Sequence, residues 1–117
     1  MGITYIDGLV TGPGGGSQSL RFLVDTGAMY TLLPEWTWKE LGLAATRSNE
    51  FVLADGSVVE RRLSECRLSI EGTEGHTPVI LGEPGDDLPL LGVVTLEERG
   101  LLFDPFRREL RAMTLRM

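Results

Sequence analysis

The stretch Phe51-Val52-Leu53-Ala54-Asp55-Gly56-Ser57-Val58-Val59-Glu60 constrains this chain most. Apolar and β-branched residues flank an Asp-Gly pair. Asp-Gly is a preferred two-residue hairpin turn because both positions must take positive φ. The spacing therefore predicts a β-hairpin with its turn at Asp55-Gly56. A hairpin alone is marginal in water, so further strands or a helix must pack on it. The rest of the chain supplies them in short pieces. Fifteen glycines and six prolines interrupt it throughout, which favours many strands and tight turns over long helices.

Ile3 to Thr11 alternates loosely and reads as a strand, Gly12 to Ser17 as a turn, and Ser19 to Val24 as a second strand. The glycine-rich turn lacks a Gly-Lys-Ser/Thr ending and no helical pattern follows it, so it is not read as a phosphate loop. Pro34 to Leu41 is a short helix, with Pro34 suited to its first turn and Gly42 to its stop. Pro34, Trp38 and Leu41 share one face and Trp36 points elsewhere. Leu63 to Ile70 and Thr77 to Leu81 are strands joined by a turn over Gly72 to Gly75. Gly82 to Pro89 is a loop, Leu90-Leu91-Gly92 a short apolar element, and Val94 to Arg99 one or two helical turns. Leu101 to Asp104 and Arg108 to Thr114 form a last hairpin. The sum is one all-β domain over residues 1–117, with one or two short helices and no repeat or linker.

The net charge of −6 argues against a nucleic-acid partner, which needs a basic face. No apolar run approaches the roughly 18 residues of a membrane span, and no charged and apolar leader pattern opens the chain. Cys66 is the single cysteine, which precludes an intrachain disulfide and fits a reducing compartment. It lies in an alternating stretch and reads as a small core or strand residue. The expectation is a cytoplasmic protein with no membrane partner.

Asp25-Thr26-Gly27 carries the chemistry. The strand residues Phe22-Leu23-Val24 deliver it, and Ala28 and Tyr30-Thr31-Leu32-Leu33-Pro34 lead from it to the helix. Far downstream, Leu90-Leu91-Gly92 forms a second apolar-apolar-Gly element before another short helix. No serine sits in a Gly-x-Ser-x-Gly elbow. His76 stands alone as a surface strand residue, no Cys/His cluster could hold zinc, and Asp86 and Asp87 read as solvated loop carboxylates. No metal or other cofactor is expected. Asp25-Thr26 could instead be only a turn at a strand end, with Gly27 supplying positive φ, a reading that leaves the rest of the pattern unexplained.

The ordered set resembles the retropepsin-like aspartic peptidases, the retroviral type and its small bacterial members, from the first hairpin to about Phe103. The resemblance implies a closed acid-protease-type β-barrel and an aspartic endopeptidase acting on a peptide or protein substrate. Asp25 is then the catalytic carboxylate. Thr26 bridges two copies of its loop, and Gly27 admits the substrate backbone. Ala28 lines the cleft floor, Asp55 and Gly56 form the flap tip, and Leu88 and Leu90 stand on pocket walls. With one Asp-Thr-Gly per chain, the second aspartate must come from a second copy, which implies a homodimer. Two readings stand beside it. One is a non-proteolytic peptide-binding or dimerisation module that keeps the peptidase fold. The other is an unrelated small barrel with a chance triplet, monomeric, with Asp25 in a lone turn. The chain also departs from the retroviral pattern. Where those members carry an aspartate after Asp-Thr-Gly-Ala and an arginine after the second glycine motif, it has Met29 and Val93. It also adds a hairpin from Asp104 to Met117.

Overall fold

The computed structural model describes residues 3–117. Nine strands and two short helices follow in the order β1 (Tyr5–Thr11), β2 (Ser17–Val24), β3 (Thr31–Leu33), α1 (Glu35–Glu40), β4 (Arg47–Val52), β5 (Val58–Ile70), β6 (Thr73–Leu81), β7 (Leu90–Leu91), α2 (Val93–Glu98), β8 (Leu101–Asp104) and β9 (Glu109–Ala112). The all-β reading with short helices holds. Seven strands make one sheet in the order β1-β2-β7-β3-β6-β5-β4. β1 also pairs with the far end of β5, Gly8 opposite Ile70 and Thr11 opposite Arg67, which curls the sheet round on itself. β8 and β9 form a separate two-stranded ribbon.

Alternation decides which side of each strand is inside. In β2, Leu20 and Phe22 are buried while Ser19 and Arg21 are exposed. In β5, Cys66, Leu68 and Ile70 point inward. These side chains meet Val10, Leu33, Val79, Leu81, Leu91 and Leu96 in one core. Each fully buried aliphatic side chain contributes roughly 1.5–3 kcal/mol of transfer free energy. The Cys66 thiol is among them, and burial pushes its pKa up to about 12, so it stays protonated and unreactive near neutral pH.

Helix α1 begins one residue later than its sequence suggests, with Pro34 as the flanking cap. Trp38 packs into the core and donates its Nε1–H to the Gly82 carbonyl at 2.8 Å, while Trp36 is 53% exposed. That division of the two tryptophans matches the helical spacing.

Five local expectations are corrected. β1 starts at Tyr5 rather than Ile3, and α2 starts at Val93 rather than Val94, both within ordinary fraying of element ends. The hairpin turn at Asp55-Gly56 is not the two-residue form. Gly56 N–H bonds the Leu53 carbonyl and Leu53 N–H the Ser57 carbonyl, so the turn contains Ala54, Asp55 and Gly56, and of these only Gly56 has positive φ, 86°. The reason is the Asp55 side chain. Its Oδ1 accepts from the Ser57 N–H at 2.9 Å and the Ser57 hydroxyl at 2.6 Å, closing the turn without a left-handed aspartate. The turn with two positive-φ residues lies instead at Glu71-Gly72, φ 46° and 74°, so β6 begins at Thr73 and Gly75 lies within it. Finally, β5 runs unbroken from Val58 to Ile70, where the sequence suggested two pieces. Arg61 and Arg62 continue it because both pair with the polar strand β4, opposite Asn49 and Ser48.

Candidate active site

The Asp25 loop is built at the seam where β2, β7 and β3 meet. β7 runs parallel to β2, with Leu23 opposite Leu90 and Val24 opposite Leu91, and antiparallel to β3 at Leu32. Asp25 N–H then bonds the Leu91 carbonyl at 3.1 Å. The loop folds back through an Ala28 N–H bond to the Asp25 carbonyl at 3.1 Å. The carboxylate faces its own loop, because Oδ1 accepts the Gly27 N–H at 3.0 Å.

Helix α2 clasps the loop from the other side. Its first two N–H groups, which no helical carbonyl could satisfy, donate to Ala28 and Met29 at 2.9 Å each. Gly92, which caps this helix, lies against the backbone of Tyr30. Its N–H donates to Thr31 Oγ1 at 3.1 Å. Thr31 Oγ1 also bonds Thr95 Oγ1 at 2.7 Å, and Thr95 Oγ1 bonds Thr77 Oγ1 at 2.8 Å. All three threonines are buried, so this hydroxyl chain ties β3, α2 and β6 together in a place where an unpaired hydroxyl would cost about 1–3 kcal/mol. The Asp25 loop is therefore no lone turn.

Asp25 is half-buried, and Thr26 and Gly27 are exposed. Gly27, Ala28 and Leu90 join the wall of a cavity of about 290 Å³ between the loop and the β4–β5 hairpin. Asp55 and Gly56 sit exposed at the hairpin tip and Leu88 in the 82–89 loop; none of these three lines the cavity. The cavity wall holds residues that the sequence did not single out: Met29, Tyr30 and Leu32 from the floor, Phe51, Val52, Leu53, Val59 and Arg61 from the hairpin, and Ile80 from β6. Alternation could have found part of this set, since Phe51 and Val59 are cross-strand partners on one face. Tyr30 meets Phe51 edge to face with ring centroids 5.9 Å apart, joining floor to hairpin. Asp86 is also on the wall; its Oδ2 accepts the Glu83 N–H at 2.8 Å, which makes it a turn cap rather than a merely solvated group. A larger depression of about 430 Å³ lies beside Gly12, Leu43 and His76 and includes none of the candidate residues.

Hydrogen bonds from the Ser57 hydroxyl and amide hold the Asp55 carboxyl below the ordinary aspartate range. With the folded value depressed, the carboxylate's hold on the turn is complete above the ordinary aspartate pKa and is lost as pH falls through the lower, folded value. The carboxyl carbon shift of Asp55, followed by NMR during an acid titration, should therefore change only below the ordinary aspartate range. An Asp55 that titrates at or above the ordinary value of about 3.9 would contradict this.

Among the described residues no three His, Cys, Asp or Glu side chains gather as a metal site, and no helix is long and apolar enough to cross a membrane.

Residues 15–98 match the family described as gag-polyprotein putative aspartyl protease. No curated protein matches the chain. Among solved structures, the EIAV protease complexed with the inhibitor HBY-793 is similar, with a TM-score of 0.62 and 18% sequence identity over 83% of this chain and 88% of that one. At that identity the likeness concerns the fold.

Proposed function

Because this chain belongs to the gag-polyprotein putative aspartyl protease family, we propose that it is an aspartic endopeptidase whose catalytic centre is a pair of Asp25 carboxylates, one from each of two copies. The observation that carries this reading is the setting of Asp25. Three elements fix its loop from behind, while Thr26 and Gly27 at its front are exposed. A loop held so rigidly and left uncovered is suited to meeting its symmetry mate.

The chemistry follows from two carboxylates a hydrogen bond apart. Like charges so close cannot both ionise, so the pair shares one proton. The ionised carboxylate takes a proton from a bound water, whose oxygen attacks the peptide carbonyl carbon. The protonated carboxyl gives its proton to the carbonyl oxygen. The tetrahedral intermediate then collapses: its C–N bond breaks, the nitrogen leaves with a proton from the dyad, and one hydroxyl of the intermediate returns its proton to the dyad as the carbonyl re-forms. Thr26 bridges the two loops. Gly27 leaves backbone room beside the carboxylates, where an added Cβ would come within 3.2 Å of Asp25 Oδ1. Ala28 and Leu90 border the bound side chain. The Asp55-Gly56 turn closes over the peptide and excludes water. The peptide lies extended, gripped as an added strand.

Mixing tests the shared dyad. When wild-type chain is equilibrated with an equal amount of Asp25→Asn chain, random pairing leaves about a quarter of the dimers with two aspartates. With total chain concentration held constant, cleavage should fall to about that quarter. A fall to only about half would mean that each chain works alone and would sink the dyad. A stable dimer with no cleavage of any peptide would favour the non-proteolytic module.

A further inference from the structure

The wall of the 290 Å³ cavity carries two charged residues, Arg61 from β5 and Asp86 from the 82–89 loop, and no others. Glu83 links them from outside the wall. Arg61 Nη1 donates to Glu83 Oε2 at 2.9 Å, and the Glu83 N–H donates to Asp86 Oδ2 at 2.8 Å. Glu83 thus balances the charge of Arg61. The guanidinium still holds N–H groups on Nε and Nη2 that meet no acceptor among the described residues. Asp86 Oδ1 likewise meets no donor among them, and no ion pair joins Asp86 to Arg61. Arg47 stands over the Tyr30 ring, 5.9 Å from its centre, and is not on the wall. Around the two polar groups the wall is apolar, with Leu32, Ile80 and Leu90 among its residues.

We infer that this cavity selects a substrate side chain ending in a carboxamide, with Arg61 donating to its oxygen and Asp86 accepting from its NH2 group. The inference rests on the proposed function, because it makes the cavity the seat of a substrate side chain. A wholly apolar side chain seated there takes water from Arg61 and Asp86 and returns no hydrogen bond. A carboxylate meets the like charge of Asp86, and an ammonium meets that of Arg61. A carboxamide is uncharged and presents an acceptor and two donors, so it matches both groups at once. Glutamine is the longer of the two carboxamide residues, and its two methylenes add contact with the apolar wall.

The test uses synthetic octapeptides in which one position at a time carries Gln, Leu, Glu or Lys. Cleavage by wild type is measured at about pH 6, where the Glu and Lys peptides are both charged. Binding of the same peptides to the Asp25→Asn chain is measured by fluorescence anisotropy. At one position, Gln should exceed Leu, Glu and Lys by about tenfold or more in kcat/KM, and by a similar ratio in affinity. Two variants then shift the preference in opposite directions. Asp86→Asn keeps an oxygen for the Glu83 N–H and removes the charge, so Glu should rise to within about threefold of Gln. Arg61→Met leaves Glu83 and Asp86 without their cation, so Lys should overtake Gln. A change in cavity shape alone would move all four peptides together.

Cleavage with no position preferring Gln, or with Glu or Lys preferred by wild type, overturns the carboxamide inference and leaves the peptidase reading standing. A Gln preference in binding with no cleavage of any peptide supports the cavity's selectivity and overturns the peptidase. A chain that neither binds nor cleaves these peptides overturns both.

Discussion

Asp25→Asn should lower peptide cleavage by about a thousandfold or more while leaving the fold and the dimer intact. Asparagine keeps the size of the side chain and keeps an oxygen that can accept the Gly27 N–H, so the loop geometry survives. What disappears is every titratable group at the centre. In the proposed dimer one substitution per chain removes both the base that activates water and the acid that protonates the carbonyl. The two roles belong to a pair, so the loss is not halved by symmetry. The measurement is kcat/KM against pH for both chains, with sedimentation as the control for assembly. Wild type should show a bell whose limbs belong to the dyad, and the variant a low flat line. A variant within tenfold of wild type at the wild-type optimum would remove Asp25 from the chemistry.

Gly92→Ala should destabilise the domain by about 3 kcal/mol or more, the second large effect. A Cβ at this position would lie 2.4 Å from the Tyr30 carbonyl carbon, 2.6 Å from its oxygen and 2.8 Å from the Thr31 nitrogen. These are backbone atoms, so no rotamer change relieves the clash. Either the Asp25 loop or α2 must move, and that breaks the bonds from Val93 and Val94 to the loop and strains the Gly92 bond to Thr31. Chemical denaturation should show the loss as a lower midpoint with an unchanged slope. A cost below about 1 kcal/mol would show that the clasp is looser than its geometry. Gly42→Ala makes a useful contrast. No atom lies within 4 Å of a Cβ there, so only the strain of its φ of 73° is felt.

The hairpins were legible because their signals are local. The alternation around Asp55-Gly56 and the glycine run before Ser17 each announce a reversal within a few residues. The turn at Glu71-Gly72 is not legible as one with two positive-φ residues, because glutamate seldom takes a positive φ. β4 is not legible over Arg47 to Asn49, since Arg-Ser-Asn carries no apolar alternation. In the candidate site, Asp25, Ala28 and Leu90 could be named, because a strand, a triplet and an apolar-apolar-Gly element mark them in order. Their meeting could not be derived from local pattern, as the pairing of β2 with β7 joins distant segments and leaves no trace in the period of either. The hydroxyl chain of Thr31, Thr95 and Thr77 is hidden for a related reason. A threonine in a strand or short helix reads alike whether its hydroxyl faces water or another threonine. Tyr30 and Arg61 reach the cavity through placement of whole strands, which no spacing rule reports.

The insertion of β7 between β2 and β3 also sets an order in time. During synthesis Asp25 leaves the ribosome long before Leu90 to Val94, yet those late residues are what hold its loop. A nascent chain thus carries its carboxylate on an untethered segment until most of the domain has emerged. On the proposed reading, competence cannot arrive before translation has passed the last clasp.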